Sequence, residues 1–171
     1  MTVVPSELSR DEFLHHFGGV YEHSPWIAEQ LFGEGLTSAM DAPRSLSEAL
    51  AEIVSRAGRE PQLALLRAHP DLAGKLAISG ELTESSSAEQ AGAGLDRCTP
   101  EEFQEFSQLN SAYKEKYGFP FIVAVRGLNR GEILERFRAR VQNDWDAEFE
   151  AALVEVHKIA RLRIQQIFEN V

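Results

Sequence analysis

The chain has 171 residues, of which 43% are hydrophobic, and this length suits one domain with a buried core. Its 27 acidic residues outweigh 17 basic ones, which argues against nucleic-acid binding because no basic stripe is available to displace counterions from phosphates. A single cysteine, the lack of a basic and apolar leader, and the lack of an apolar run long enough for a bilayer predict a cytoplasmic protein that does not enter a membrane.

In the first half of the chain, helix starts are marked by serine followed three residues later by glutamate, or directly by proline. The starts predicted in this way are Ser9 with Glu12, Ser24 with Pro25, and Ser45 with Glu48. Because glycine ends many helices, these three are predicted to end at Gly18, Gly33 and Gly58. A fourth helix over QLALLRAH, residues 62–69, is predicted to end at Pro70, since proline disfavours helical geometry in the residue before it.

The second half of the chain carries the same kind of signals. Its predicted helices run from Thr99 to Gly118, from Asn129 with Glu132 onward, and from about Asn143 to Phe168. Between them, residues 83–94, TESSSAEQAGAG, have the composition of a flexible spacer. Since few segments alternate with period two, we expect an all-α fold, a single compact, helical-bundle-like domain over residues 1–171.

One segment fits neither a helix nor an ordinary strand. FPFIVAV, residues 119–125, is rich in residues that favour strands, but Pro120 weakens a strand and no partner strand is available. We expect extended or partly helical chain in the core. Its backbone amides, with few ladder partners, offer an alternative role in contacting a ligand.

His69 is the histidine in the most unusual setting. An imidazole at a helix C-terminus lies at the negative end of the helix dipole, which favours its charged form, and Pro70 makes the neighbouring backbone rigid. A rigid backbone suits a proton-transfer group, whereas a histidine that bonds the last helical carbonyls is the structural alternative. Local features leave both interpretations open. Of the other histidines, His157 lies off the apolar face of the last helix and is expected in solvent.

Arg163 occupies a position that periodicity assigns to the core. The last helix has apolar residues at three-, four- and seven-residue steps, which form its buried stripe. These residues are Phe149, Ala152, Val156, Ala160 and Ile167. Arg163 lies in the middle of this stripe, and a buried guanidinium is costly unless it is paired. It therefore needs an anionic partner, either a carboxylate of the protein or a ligand.

The polar segment 83–94 holds a further pair of candidate residues. Ser86 and Glu89 are three residues apart and share one face if a helix forms there. The simpler interpretation is a helix cap followed by a glycine-rich exit. No phosphate-binding loop, dinucleotide fingerprint, HExxH or paired-cysteine motif occurs in the sequence, so neither a metal nor a cofactor is predicted.

Taken together, these motifs resemble the OHCU decarboxylase family, which acts on 2-oxo-4-hydroxy-4-carboxy-5-ureidoimidazoline (OHCU) in urate breakdown. The segments that carry the resemblance are FGGVYEHSPWIAE at 17–29, RAHPDLAG at 67–74, LTESSSAEQAGAGLD at 82–96, LNSAYKEKYGFPFIVAVRG at 109–127 and EVHKIARLRI at 155–164. In this order and spacing they are highly specific, and the resemblance spans nearly the whole chain.

The resemblance implies an all-helical homodimer that decarboxylates OHCU to (S)-allantoin without a cofactor. The family's catalytic residues fall here on His69, Glu89 and Arg163. Its substrate-binding residues fall on Pro70, Ser86, Gln90, Phe119, Phe121, Ile122 and Val123. The backbone of residues 119–123 is expected to form the wall that contacts the ligand.

Two other interpretations use the same residues. A non-enzymatic helical module would bind a partner through its acidic surface, with Arg163 paired to an internal glutamate. A homologue of the same fold would act on a related ureido or imidazolone acid. Formation of a single allantoin enantiomer from OHCU, faster than the spontaneous decay of OHCU, separates the three.

Overall fold

Every regular element of the described chain is helical. The structure, a computed structural model, describes residues 3–74 and 79–170. Within these two ranges all regular structure is α-helix or 3-10 helix and no strand occurs, so the predicted all-α fold is confirmed. No helix in the same ranges has the length and apolar character needed to cross a membrane.

The α-helices are α1 (Arg10–Phe17), α2 (Trp26–Glu34), α3 (Pro43–Ala57), α4 (Arg59–Arg67), α5 (Glu84–Gly92), α6 (Pro100–Tyr117), α7 (Arg130–Arg140) and α8 (Trp145–Glu169). Short 3-10 helices cover Pro5–Glu7, Ser38–Asp41 and Leu95–Arg97.

The described chain divides into two compact units. Unit 1 holds the residues up to Ala68 and those from Val156 onward, and unit 2 is His69–Glu155. Unit 1 therefore contains α1 to α4 and the later part of α8, whereas unit 2 contains α5 to α7 and the earlier part of α8. The single domain expected over residues 1–171 stays a prediction.

Unit 1 is built from helices that contact one another in chain order, α1 with α2, α2 with α3 and α3 with α4. The apolar residues of α3 recur at three- and four-residue steps, so they form one buried face. They are Leu46, Leu50, Ile53 and Val54. Phe13 and Phe17, one turn apart on α1, are fully buried with ring centres 5.1 Å apart. Burial of each such side chain contributes roughly 1.5–3 kcal/mol.

Unit 2 is organised around aromatic rings from α6, α7 and the segment 119–125. Phe121 stacks on Phe137 of α7 with 3.9 Å between ring centres, and both rings meet Tyr113 of α6 edge to face. Segment 119–125 has no regular secondary structure, and all of it except Ala124 is buried. It is thus core chain, as expected, and it takes no helical turn.

Three predicted helix starts are confirmed in detail. Ser9, Thr99 and Asn129 each accept a hydrogen bond from the backbone N–H three residues on. In each case the glutamate at that position accepts one in return from the backbone N–H of the cap. Gly118 ends α6 as predicted, in the left-handed conformation at φ 79°. These signals act within four or five residues, so the sequence alone reveals them.

The predicted start of α3 is wrong. The helix begins at Pro43, and its N-cap Ala42 makes no side-chain hydrogen bond. Ser45 therefore lies inside the helix rather than capping it. A proline in the first turn lacks the N–H that a cap would satisfy and is already fixed at a helical φ, so the helix starts at Pro43, three residues before the predicted first helical residue, Leu46.

Both predicted ends of α2 are also displaced. Ser24 is not its cap; the hydroxyl of Ser24 donates to the carbonyl of Glu22 at 2.9 Å, and Pro25 is the N-cap. At the other end the helix continues through Gly33 and stops at Gly35. The φ of Gly35 is 104°, a conformation that side chains rarely allow, so the second glycine rather than the first ends the helix.

Residues 83–94 are not a spacer. Helix α5 occupies Glu84–Gly92, and Thr83 caps it by accepting a hydrogen bond from the backbone N–H of Ser86 at 3.3 Å. Composition was misleading here because small polar residues are common both in linkers and at helix starts, where their side chains bond to backbone N–H groups.

Candidate active site

The turn after α4 carries His69. The last residue of α4 is Arg67, two residues earlier than predicted, and the backbone N–H of Ala68 closes the helix. His69 therefore lies in the turn itself, where it is 9% exposed. Pro70 accounts for the early end, because it excludes helical geometry at the residue before it. The histidine is thus a buried residue of a turn and not the solvent-exposed end of a helix.

The shape of this turn depends on its last two residues. A Cβ atom on Gly74 would lie 2.7 Å from the Cβ of Asp71, so only glycine fits at that position. Ala73 has a φ of 50°, a left-handed conformation that costs a residue with a side chain roughly 1–2 kcal/mol. Such strain persists only where the surrounding contacts hold it, and it is concentrated at functional sites.

Gln90 of α5 holds the turn with both of its amide atoms. Its Oε1 accepts from the N–H of Ala73 at 3.1 Å, and its Nε2 donates to the carbonyl of Asp71 at 3.2 Å. The role of Gln90 in substrate binding stays a prediction. An amide oxygen has a second lone pair and an amide nitrogen a second proton, so bracing the turn is compatible with that role.

Helix α6 holds the same turn from another side. Asn110 donates from Nδ2 to the carbonyl of Leu72 at 2.9 Å. One turn further along α6, the ammonium of Lys114 lies 2.7 Å from the carboxylate of Asp71. The residues that follow His69 are therefore fixed by side chains from two helices of unit 2.

Helix α5 presents a buried polar face. Ser86 and Gln90, one turn apart, are both 5% exposed, whereas Ser85 and Ser87 are exposed. Glu89 is half-buried and lies within one turn of Ser86, as expected for residues at that spacing. Of the three consecutive serines, Ser86 is the buried one, and burial therefore distinguishes it as the candidate for ligand contact.

The backbone of segment 119–123 is held by an arginine. Arg140 donates to the carbonyl of Ile122, and its Nε lies 2.6 Å from Oε1 of Glu148, a carboxylate that is fully buried. The hydroxyl of Tyr113 donates to the same carboxylate oxygen at 2.6 Å. This network pairs the buried charge with its hydrogen-bond donors and makes the backbone at Ile122 rigid.

The aromatic side chains of the same segment face the core. Phe119 and Phe121 are 1% and 0% exposed and pack against Tyr113. Any ligand contact of these residues is therefore made through their backbone, as the sequence led us to expect. Burial, reinforced by the hydrogen bond to Glu148, raises the pKa of Tyr113, so this hydroxyl stays protonated and remains a donor.

In unit 1, Arg163 forms a buried ion pair. Its Nη1 lies 2.9 Å from Oε2 of Glu22, and the two side chains are only 7% and 1% exposed. The same nitrogen donates to the carbonyl of Gly19 at 3.4 Å. The anionic partner expected from the sequence is thus a carboxylate of the protein. A role of Arg163 in binding a ligand stays a prediction.

The turn between α1 and α2 places Glu22 against α8. His23, the next residue, has a φ of 47°, and the hydroxyl of Ser24 closes the turn on the carbonyl of Glu22. On the other side of Glu22, the hydroxyl of Tyr21 lies 2.8 Å from Nδ1 of His157. The turn is therefore attached to α8 by two side-chain pairs, Tyr21 with His157 and Glu22 with Arg163.

The expected exposure of His157 is wrong. Its ring is half-buried against Tyr21, and burial lowers the pKa of the imidazole, so it is neutral near pH 7. Burial also raises the pKa of Tyr21, which keeps the hydroxyl protonated. The pair is thus a neutral hydrogen bond that anchors the turn.

Asn110 and Glu22 are among the residues that sequence reasoning missed, and of these two only Asn110 left a signal. Phe106 and Tyr113 mark the buried face of α6, and Asn110 lies between them at four- and three-residue steps. A polar side chain at a position that periodicity assigns to the apolar face is the same signal that singled out Arg163. Glu22 lies in a turn without periodicity, so the tertiary structure alone identifies it.

These features are those of an all-helical small-molecule enzyme, with a buried histidine in a braced turn, a buried polar helix face and a rigid backbone segment. Among the residues of ranges 3–74 and 79–170, no group of three or more His, Cys, Asp or Glu side chains is arranged to hold a metal ion. The sequence profile of the OHCU decarboxylase family matches residues 6–165, and the chain belongs to this family. The resemblance inferred from the motifs is thereby confirmed.

Similar proteins support the same assignment. The 2-oxo-4-hydroxy-4-carboxy-5-ureidoimidazoline decarboxylase of Haloferax volcanii is 42% identical over 96% of this chain and 94% of its own length. The decarboxylase of the same name from Halalkalicoccus jeotgali is 40% identical over 95% of this chain and 88% of its own. A crystal structure of (S)-allantoin synthase superposes with a TM-score of 0.74 at 31% identity, covering 96% of this chain. This chain spans about half of that protein, 52% of its length.

Proposed function

We propose that the protein decarboxylates OHCU to (S)-allantoin, a step of urate breakdown, without the help of a cofactor. The observation that carries this proposal is the family match over residues 6–165, joined to a buried histidine in the HPDL turn. Both relatives named as decarboxylases match nearly this whole chain, so the similarity extends well beyond one motif.

The chemistry of the substrate explains how the side chains of the protein can catalyse this decarboxylation without a cofactor. The carboxylate of OHCU is attached beside a ring C=N bond, so the electrons of the breaking C–C bond move onto that nitrogen as CO2 leaves. This leaves a double bond between the two ring carbons, and the nitrogen takes up a proton. The hydroxyl then loses its proton and becomes the ring carbonyl, while the neighbouring ring carbon, which bears the ureido group, takes up a proton on one face and so gives a single enantiomer. The protein has to orient the carboxylate, manage the proton of the adjacent hydroxyl and direct the final protonation.

Each candidate residue suits one of these tasks. His69 takes or returns the hydroxyl proton, since an imidazole can both accept and donate a proton and the braced turn limits the movement of its backbone. Glu89 accepts hydrogen bonds from ureido or ring N–H groups of the substrate. Arg163 binds substrate oxygens with its planar guanidinium, and the backbone of 119–123 lines the ligand.

The assembly and location of the enzyme are also part of the proposal. The family resemblance implies a homodimer, which sedimentation of the purified protein at micromolar concentration would show directly. The single cysteine and the acidic composition are in keeping with a cytoplasmic enzyme that acts on a small molecule and binds neither nucleic acid nor membrane.

Freshly generated OHCU provides the test of the function. Because OHCU decays spontaneously to racemic allantoin, the measurement must follow both the rate of its loss and the circular dichroism of the product. We expect the protein to accelerate the loss and to yield (S)-allantoin. Loss of OHCU at the spontaneous rate, with no optical activity in the product, would reject the proposal. Acceleration of only a related ureido or imidazolone acid would redirect it to that substrate.

The serine run offers an internally controlled prediction. Replacing the buried Ser86 by alanine is expected to raise KM or lower kcat by roughly 10-fold, the effect of losing a hydrogen bond of about 1.4 kcal/mol. Ser85→Ala and Ser87→Ala remove the same group from exposed neighbours on the same helix and serve as matched controls. Steady-state kinetics on the three variants checks this. Equal losses in all three would show that burial does not select the contacting serine.

A further inference from the structure

Asn110 is an amide in the apolar face of α6. It lies between the buried rings of Phe106 and Tyr113 and is itself 4% exposed. A buried amide requires hydrogen-bond partners for both of its ends. The partners that Asn110 has are therefore a guide to what it does.

Only one end of this amide is satisfied within the described residues. Nδ2 donates to the carbonyl of Leu72 at 2.9 Å, whereas Oδ1 is buried with no hydrogen-bond partner among residues 3–74 and 79–170. A leucine of similar volume would bury no amide oxygen, but it would leave the Leu72 carbonyl without its donor, so the two effects on stability oppose each other. The hydrogen bond to Leu72 is therefore the distinctive contact of this amide.

Leu72 is three residues after His69 in a stretch with little freedom. Pro70 locks one backbone torsion, and Ala73 is held in the left-handed region by Gln90. Fixing the peptide plane at Leu72 leaves few torsions through which the backbone of His69 can turn. The ion pair of Lys114 with Asp71 is half-exposed and is a weaker constraint.

We propose that Asn110 is a positioning residue, which holds the HPDL turn so that the imidazole of His69 keeps its reactive orientation. The inference rests on the proposed decarboxylation and deepens it by naming a residue outside the candidate ligand contacts. Asn110 acts through the backbone of Leu72 and has no part in the proton transfer itself.

The first variant is Asn110→Leu, which removes both ends of the amide and keeps the volume. A misplacement of a catalytic group by about 1 Å costs roughly 100-fold in rate, so we expect kcat to fall by about 10- to 100-fold. KM is expected to change by less than about threefold, because groups that hold the substrate are untouched. The melting temperature should stay within about 4 °C of the wild-type value. Loss of the hydrogen bond to Leu72 destabilises the protein, and removal of the buried Oδ1, which has no partner among the described residues, stabilises it.

Asn110→Asp tests the donated hydrogen bond itself. At pH 8 an ionised carboxylate faces the Leu72 carbonyl and repels it, so kcat falls at least as far as in Asn110→Leu. As the pH is lowered and this carboxyl takes up a proton, its O–H replaces the amide as donor. The ratio of kcat between the Asp and Leu variants is then expected to rise, since every other pH-dependent step of the reaction is common to both. Asp71 and Lys114 form the ion pair at the same turn, and both variants share it.

Gln108→Leu and Gln108→Asp are the matched controls, because Gln108 is exposed on the same helix. They should keep wild-type kcat at every pH. The inference is overturned by wild-type kcat in Asn110→Leu, or by a kcat ratio of the Asp and Leu variants that does not change with pH. In either case, activity of the unmodified protein on OHCU leaves the proposed function intact. If Asn110→Leu does not fold, the kcat of Asn110→Asp relative to wild type is followed over the same pH range. A wild-type protein without activity on OHCU contradicts the proposed function instead.

Discussion

Replacing His69 by asparagine is expected to reduce the rate of (S)-allantoin formation by about 10²–10⁴-fold, the contribution of a general acid or base. Asparagine keeps a polar group of smaller size in the turn, so the fold should survive. The measurement is the initial rate of OHCU loss above its spontaneous decay, followed together with the circular dichroism of the product. His69→Ala should show the same loss of rate.

A surface histidine provides the control for this experiment. His15 is exposed on α1, and His15→Asn should leave both the rate and the enantiomer unchanged. Melting curves of the two variants separate a lost catalytic group from a lost fold. Near-normal formation of (S)-allantoin by a folded His69→Asn variant would remove His69 from the mechanism.

Glu22→Leu is expected to destabilise the protein by about 3–5 kcal/mol, because it leaves the guanidinium of Arg163 buried without its carboxylate. Chemical denaturation measures this as a fall in the free energy of unfolding. The pair is buried on both sides, with 7% and 1% of the side chains exposed, so water cannot replace the lost partner. Combining Glu22→Leu with Arg163→Met should recover most of the loss, since an apolar pair of similar volume carries no desolvation penalty.

The double variant also decides between the two roles of Arg163. If Arg163 binds substrate oxygens, the double variant is stable but has lost substrate affinity and turnover. Wild-type kcat and KM in the double variant would mean that Arg163 serves the fold alone. The exposed pair of Arg44 and Glu48 on α3 gives a comparison, and Glu48→Leu should change stability little because both charges are already in water.

Local signals predicted most helices of this protein because they act over a few residues. The capping boxes at Ser9, Thr99 and Asn129 each combine a side chain and a backbone N–H three positions apart. Where two such signals compete, composition does not rank them. Ser45 had the pattern of a cap, but Pro43 two residues before it starts the helix.

The candidate site was predictable from sequence only through motifs whose meaning comes from the family. His69, Ser86 and Glu89 follow from the HPDL and S-x-x-E-Q segments, and the local pattern at His69 left a cap and a catalyst equally open. Burial separates Ser86 from Ser85 and Ser87, which composition could not do. The bracing contacts of Gln90 depend on two segments of chain that meet only when unit 2 has folded.

By itself, the sequence determined the all-α class, the helix starts at Ser9, Thr99 and Asn129, and the fact that Arg163 needs a negative partner, because periodicity and caps are properties of neighbouring residues. Tertiary structure alone decided which partner it has, since Glu22 lies 141 positions away in a turn without any pattern. It likewise decided that Asn110 meets Leu72, 38 positions earlier. Such pairings follow from how the helices pack. The pattern of residues along the chain indicates that a buried polar group needs a hydrogen-bond or charge partner, but it does not identify that partner.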